Sequence, residues 1–128
     1  MKLYTILLSA TTLCITAISA SSTALREITD ASFQAAVLDA DGTTLVRFYT
    51  PWCSHCQNMA PVVQAFAHQH QDQITVVQVN IDANPRTTLQ YGVTSVPTTA
   101  VFRRGQLIDK IAGEMDAEEL EQASLHWM

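Results

Sequence analysis

Basic residues are scarce in this chain. Seven Lys and Arg stand against twelve Asp and Glu, and they form no cluster. A chain without a basic patch has little to offer a phosphate backbone, which argues against nucleic acid as a partner. There is no internal repeat, no low-complexity tract and no long block of like charge, so the composition is that of an ordinary globular protein. A length of 128 residues leaves room for one compact domain and little else. The net charge of −5 is mild. Glu114, Asp116, Glu118, Glu119 and Glu121 gather near the C-terminus, where a solvated helix face is the plain reading. Cysteine is also sparse, at positions 14, 53 and 56.

The first twenty residues read as a signal peptide. Lys2 supplies a positive start, and Leu3 to Ile18 supply an apolar run diluted by Thr and Ser. Small residues follow at Ser19, Ala20, Ser21 and Ser22, so cleavage is expected near Ala20, leaving a mature domain over 21–128. The alternative is an uncleaved anchor. The interspersed hydroxyl residues and the lack of a basic stop-transfer flank argue against it, so no stable membrane attachment is expected. Acylation at Cys14 would need a small residue before it, and Leu13 stands there.

Removal of that segment leaves Cys53 and Cys56. In an exported protein such a pair is either a bridge or a redox couple. A bridge across two residues closes so small a loop that it restrains the unfolded chain little, which makes a structural staple a poor explanation.

Along the mature chain, Ala24 to Ile28 reads as a short strand. Thr29-Asp30-Ala31-Ser32 offers N-cap chemistry for a helix through Leu38, with Phe33, Val37 and Leu38 on one face. Thr43 to Thr50 is β-branched, aromatic and nearly continuously apolar, as in a central strand buried on both faces, and Pro51 ends it. A long helix is expected from Cys53 to about His70, kinked at Pro61. Ile74 to Val79 is a second buried strand, and a short helix over Arg86 to Gln90 stops at Tyr91-Gly92. Thr98 to Arg103 and Gln106 to Ala112 form a hairpin around Arg104-Gly105. Asp116 caps a last helix, with Leu120 and Leu125 expected to face inward. The order β-α-β-α-β-α-β-β-α implies an α/β domain: a parallel sheet covered on both sides, with antiparallel strands added by the hairpin.

Leu45-Val46-Arg47-Phe48-Tyr49-Thr50-Pro51-Trp52-Cys53-Ser54-His55-Cys56 resembles the active-site strand and helix start of the thioredoxin superfamily. It also resembles the domains of protein disulfide isomerase, which carry a similar Phe-Tyr-x-Pro-Trp-Cys-x-His-Cys run. The similarity continues through Met59-Ala60-Pro61, Asn80-Ile81-Asp82, Tyr91-Gly92-Val93, Val96-Pro97-Thr98 and Arg104-Gly105, and so spans essentially the whole mature chain. The resemblance implies the thioredoxin fold, a central mixed five-stranded sheet flanked by four helices. It implies thiol–disulfide exchange with protein substrates through a Cys53–Cys56 disulfide, and a separate redox partner protein. It further implies that Pro97 is cis and lies across from the dithiol, which leaves the backbone of Val96 free to bind an extended substrate segment.

Elementary chemistry points the same way. Cys53 falls at a helix N-terminus, where unpaired N–H groups and the helix dipole favour an anion, and the thiolate is the attacking species. Cys56 lies one turn on, within reach of a mixed disulfide on Cys53. Cys53 is therefore expected to be the exposed nucleophile and Cys56 the buried resolving thiol. Ser54 and His55 between them, Trp52 before them and Arg47 beneath them are the expected modulators. An imidazolium at His55 beside the thiolate would stabilise the reduced form and make the disulfide a better oxidant. By resemblance, His at this place marks isomerase-like members rather than reductive thioredoxins. Trp52 is expected to pack beside the dithiol and shield it.

One position breaks the family pattern. Thioredoxins and isomerase domains usually carry an acid where Arg47 stands, beneath the second cysteine, and the Lys that often accompanies it is Gln78 here. Arg47 accepts no proton at ordinary pH. Either it turns toward the site and stabilises a Cys56 thiolate, or its stem packs along the sheet and its head reaches solvent or an acid. The cost of burying an unpaired guanidinium favours the second reading.

Cys53, Cys56, His68 and His70 supply metal-ligand types, but their spacing matches no zinc finger, and late-helix His is explained by the helix dipole. Haem attachment needs His directly after the second cysteine, where Gln57 stands. No metal or cofactor is expected. A non-catalytic binding module on the same fold is the remaining competitor, and it would not need both cysteines. Leu125-His126-Trp127-Met128 is no ER-retention signal, so periplasm or secretion fits better than the ER lumen. A domain of this size needs no partner to fold, so a monomer is expected.

Overall fold

The computed structural model describes residues 25–128; the expected signal peptide and Cys14 lie outside them. Five strands form one sheet: β1 (Arg26–Glu27), β2 (Thr43–Tyr49), β3 (Ile74–Asn80), β4 (Thr98–Arg103) and β5 (Gln106–Ala112). Their spatial order is β1-β3-β2-β4-β5. The pairs β1/β3 and β2/β3 are parallel, while β2/β4 and β4/β5 are antiparallel. The helical segments are α1 (Gln34–Leu38), α2 (Ser54–Gln69), α3 (Pro85–Gln90) and α4 (Ala117–Ser124). This is the thioredoxin fold.

Strand β2 lies at the centre of the sheet and is buried throughout its interior, as a continuous apolar run requires. Its side chains alternate between two cores. Val46 and Phe48 meet Phe33, Val37 and Phe102 on one face, while Leu45 meets Met59, Val63, Phe66 and Trp127 under α2 and α4 on the other. Arg47 shares the face of Leu45, so the strand that builds the core also aims a cation at the start of α2.

Two expectations for the helices need correction. Segment α1 does draw N-cap bonds from the expected Thr29–Ser32 stretch, the Thr29 N–H donating to the Ser32 hydroxyl at 2.8 Å and the Ser32 N–H to the Thr29 hydroxyl at 3.4 Å, but it is not a regular helix. It is wound wide, with the Asp39 N–H donating to the Gln34 carbonyl at 2.9 Å, and Phe33 at its cap makes no side-chain bond. Asp30 instead crosses to α3, accepting from the Thr87 hydroxyl at 2.6 Å, the Thr87 N–H at 2.9 Å and the Arg86 N–H at 3.2 Å. The Thr87 hydroxyl chiefly, with these N–H groups, holds its carboxyl below the usual range. Asp30 thus caps a helix far along the chain, because Pro85 opens α3 and Asn84 before it makes no cap bond of its own.

At the other end Asp116 does cap α4. Its carboxylate accepts from the Glu119 N–H while the Glu119 carboxylate accepts from the Asp116 N–H, a closed capping box. Leu125, however, is 65% exposed, and Trp127 is buried in its stead. Counting from Leu120, the helical period i, i+4, i+7 falls on Ser124 and Trp127 and passes Leu125 by.

Candidate active site

Strand β2 ends at Tyr49, and Thr50-Pro51-Trp52-Cys53 turns the chain into α2, with the Cys53 N–H donating to the Thr50 carbonyl at 3.4 Å. Cys53 is the N-cap: its sulfur accepts from the Cys56 N–H at 3.2 Å, as a hydroxyl or carboxylate cap would. The two residues are present as free thiols. Cys56 is fully buried, and Cys53 is only 8% exposed. The expectation of an openly exposed Cys53 is therefore too strong; little of the residue reaches the surface, and its S–H is directed to the Val96 carbonyl at 3.8 Å. The Val96–Pro97 peptide bond is cis, and Pro97 is buried. The loop before β4 and the start of α2 thus meet at one sulfur atom.

The neighbours fall into two groups. Ser54 and His55 lie on the exposed first turn of α2. The His55 Nδ1–H donates to the Glu114 carboxylate at 2.7 Å, a contact between largely exposed side chains. Glu114 was indistinguishable from its acidic neighbours in the sequence, and nothing local marks it as facing the dithiol. Trp52 does not pack over the sulfurs: it is 73% exposed, and its indole N–H donates to Asp82 at 2.9 Å. An indole held this way presents a flat apolar surface at the rim of the site.

Beneath the dithiol the arrangement is polar and buried. Arg47 is only 5% exposed, so its head does not reach solvent, and it touches no acid directly. One guanidinium nitrogen donates to the Cys56 carbonyl at 2.7 Å and another to Gln78 Oε1 at 2.7 Å, while Nε has no partner. Its Cζ lies 4.7 Å from the centre of the Tyr49 ring, a cation–π distance. Gln78 in turn donates to Glu27 at 2.7 Å, and the Tyr49 hydroxyl donates to the same carboxylate at 2.8 Å. Burial, then the bond to Glu27, pushes the Tyr49 phenol up to about 12. Arginine survives in this strand because neutral acceptors and an aromatic face replace the missing water, with Glu27 one residue further off.

The metal alternative fails on geometry. His68 and His70 stand at the opposite end of α2 from Cys56, about 20 Å away by helix rise. His70 packs tilted against Phe66 and pairs instead with Glu121 at 2.8 Å, which ties the end of α2 to α4. Among the described residues, no group of three His, Cys, Asp or Glu could hold a metal ion.

Burial chiefly, and then the hydrogen bond to Cys53, pushes the Cys56 thiol up to about 11; a Thr50 backbone bond and the Arg47 charge pull the other way without prevailing. Cys56 in the folded dithiol therefore keeps a proton that the unfolded chain loses near pH 8.5. The stability this contributes is complete below about pH 8.5 and is lost as pH rises toward about 11. The disulfide form has no such thiol, while Tyr49 is common to both. Urea unfolding at pH 7 and pH 10 should thus show the dithiol form losing more stability than the disulfide form. Equal losses would mean that Cys56 is not held protonated.

A paired dithiol of this kind, one sulfur capping a helix and its partner buried a turn below, defines a thiol–disulfide oxidoreductase that works by exchange at a Cys-x-x-Cys couple. Comparison with known proteins agrees. The thioredoxin family profile matches residues 24–125. Thioredoxin 1 of Nostoc sp. is 42% identical over 99 residues, covering 77% of this chain and 92% of that protein. Thioredoxin of Alicyclobacillus acidocaldarius is 42% identical over 98 residues, with the same coverage, and thioredoxin 1 of Synechococcus elongatus is 45% identical over 86 residues, 67% of this chain and 80% of that protein. The chain belongs to the thioredoxin family.

Proposed function

We propose that this family member is an exported protein disulfide oxidoreductase whose couple lies on the oxidising side, suited to donating or rearranging disulfides. Its substrates are protein thiols and disulfides, and a separate redox protein resets it. Cys53 is the nucleophile, and its slight exposure next to the Val96 carbonyl favours an extended segment that can run beside Val96 and Pro97. Cys56 is the resolving thiol. The observation that carries the oxidising assignment is His55 between the cysteines, at the N-terminus of α2. A protonated imidazole there adds to the N–H groups of the helix start in favouring thiolate over disulfide. Glu114 orients the ring and offsets part of its charge, so the effect is a bias rather than a switch. Export rests on the pattern of residues 1–20.

The equilibrium of the Cys53–Cys56 pair with glutathione tests this reading. The expected potential lies nearer the about −180 mV of protein disulfide isomerase than the about −270 mV of thioredoxin. His55→Ala should move the equilibrium roughly three- to tenfold toward the disulfide. A wild-type potential near the thioredoxin value would sink the oxidising assignment and favour a reductive protein, the reading that the names of the relatives support. N-terminal sequencing of protein recovered after export should begin close to Ser21.

A further inference from the structure

The polar side chains beneath the dithiol form a row, not a scatter. Glu27 pairs in register with Gln78, Gln78 with Arg47, and Arg47 with Thr99, so one residue from each of β1, β3, β2 and β4 lines up across the sheet. Arg47 lies in the middle of that row, under the first turn of α2. Its partners there are a carbonyl and an amide, and Thr99 opposite it is buried with a hydroxyl that has no partner, like the Arg47 Nε. No carboxylate touches the guanidinium. The ionisable groups that face it are Cys56 and Cys53 from α2, Tyr49 from its own strand and Glu27 from β1; β3 and β4 present only the neutral Gln78 and Thr99. A buried cation left without a contacting anion stabilises any negative charge that forms beside it.

The geometry points to Arg47 as a positioning residue for Cys56, a fixed cation that lowers the cost of the Cys56 thiolate in the exchange step while holding that residue's backbone in place. The inference rests on the role of Cys56 as resolving thiol, not on the direction of the couple. It also changes what an arginine here does. Burial keeps the Cys56 thiol protonated at neutral pH, so a nearby cation shifts the dithiol–disulfide equilibrium little through Cys56. Its effect falls on the rate. When a substrate thiolate attacks Cys53 of the disulfide, the Cys53–Cys56 bond breaks and Cys56 leaves as a thiolate. In the reverse sense the Cys56 thiolate attacks the Cys53 sulfur of a mixed disulfide and expels the substrate thiolate. Both pass through the same anion beside Arg47. The proton goes to solvent and returns from it, because arginine cannot accept one.

The test loads Cys53 with glutathione and follows release of the tripeptide as Cys56 closes the disulfide, from pH 6 to 9. Arg47→Met removes the charge at similar length. Gln78→Glu keeps the guanidinium and sets a carboxylate against it, at the cost of the Gln78 bond to Glu27. Paired with Glu27→Gln to restore that bond, it remains informative if Arg47→Met does not fold. Each should slow release about three- to tenfold: a Cys56 pKa higher by about a unit costs tenfold in thiolate and regains part of that in nucleophilicity. The slowing should be uniform across the pH range, with Arg47→Lys close to wild type. A merely structural arginine would lower stability without moving these rates. Release within twofold of wild type in Gln78→Glu paired with Glu27→Gln, or in a folded Arg47→Met, overturns the inference. The potential is read separately, so a reducing couple would refute the proposed direction and leave this result standing.

Discussion

Cys53→Ser should lower insulin-reduction turnover at least about a thousandfold, some 4 kcal/mol of barrier, and leave the fold intact. The thiolate is the attacking group, and a serine hydroxyl ionises far outside the working range. The fold should survive because the position is a helix N-cap. Serine is a preferred residue there, and its oxygen can take over the bond from the Cys56 N–H. Cys56→Ser should behave differently. Attack by Cys53 remains, but resolution is lost, so the variant should accumulate a covalent adduct with its protein substrate, visible by mass spectrometry and released by a strong reductant. The two variants together separate an exchange enzyme from a binding module on the same fold. Wild-type turnover in Cys53→Ser, or no trapped adduct in Cys56→Ser, would leave the module as the better description.

What could be read from the chain beforehand was whatever leaves a periodic or local mark. The apolar run of β2, the Asp116 cap with Glu119 three residues on, the glycine stop after α3 and the hairpin at Arg104-Gly105 are each written within a few residues. So were the two cysteines, since their chemistry depends on one helical turn. The pairs that tie distant segments were not. Asp30 meets α3 across 57 residues, and His55 meets Glu114 across 59. Nothing in the spacing of an acid from its neighbours marks which helix end or imidazole it will meet. Arg47 is the instructive case. The cost of burying a guanidinium favours a solvent-facing head only where the strand register supplies no partners, and here it supplies them. Gln78 and the Tyr49 ring lie beside it and the Cys56 carbonyl lies above, so both terminal nitrogens are bonded in place and only Nε is left without a partner. Partners set by pairing between strands become visible only once the sheet is assembled.

The same limit governs the second large effect. Trp127→Ala should destabilise the protein by about 3–5 kcal/mol, whereas Leu125→Ala should change stability by no more than about 0.5 kcal/mol. Hydrophobicity alone ranks the two residues as comparable candidates for the core. Geometry separates them: Trp127 is 1% exposed, its ring stands edge-on to Phe66 with centroids 6.4 Å apart, and its N–H donates to Asp109 at 2.9 Å. The Trp127 carbonyl also accepts from Arg103 and Thr43, which closes the C-terminal turn against the ends of β4 and β2. Truncation therefore opens a cavity between α2, α4 and the sheet and leaves Asp109 without that partner. Trp127→Phe should fall between the two, keeping most of the apolar contact and losing one hydrogen bond, about 1 kcal/mol. Urea unfolding with a common slope checks the series. The dithiol lies at the other end of α2 from the Phe66–Trp127 contact, so the molecules that remain folded should keep their glutathione equilibrium. Near-equal losses for Trp127→Ala and Leu125→Ala would refute the placement of the C-terminal turn, and a shifted equilibrium in Trp127→Ala would show that α2 transmits strain from its far end to Cys53.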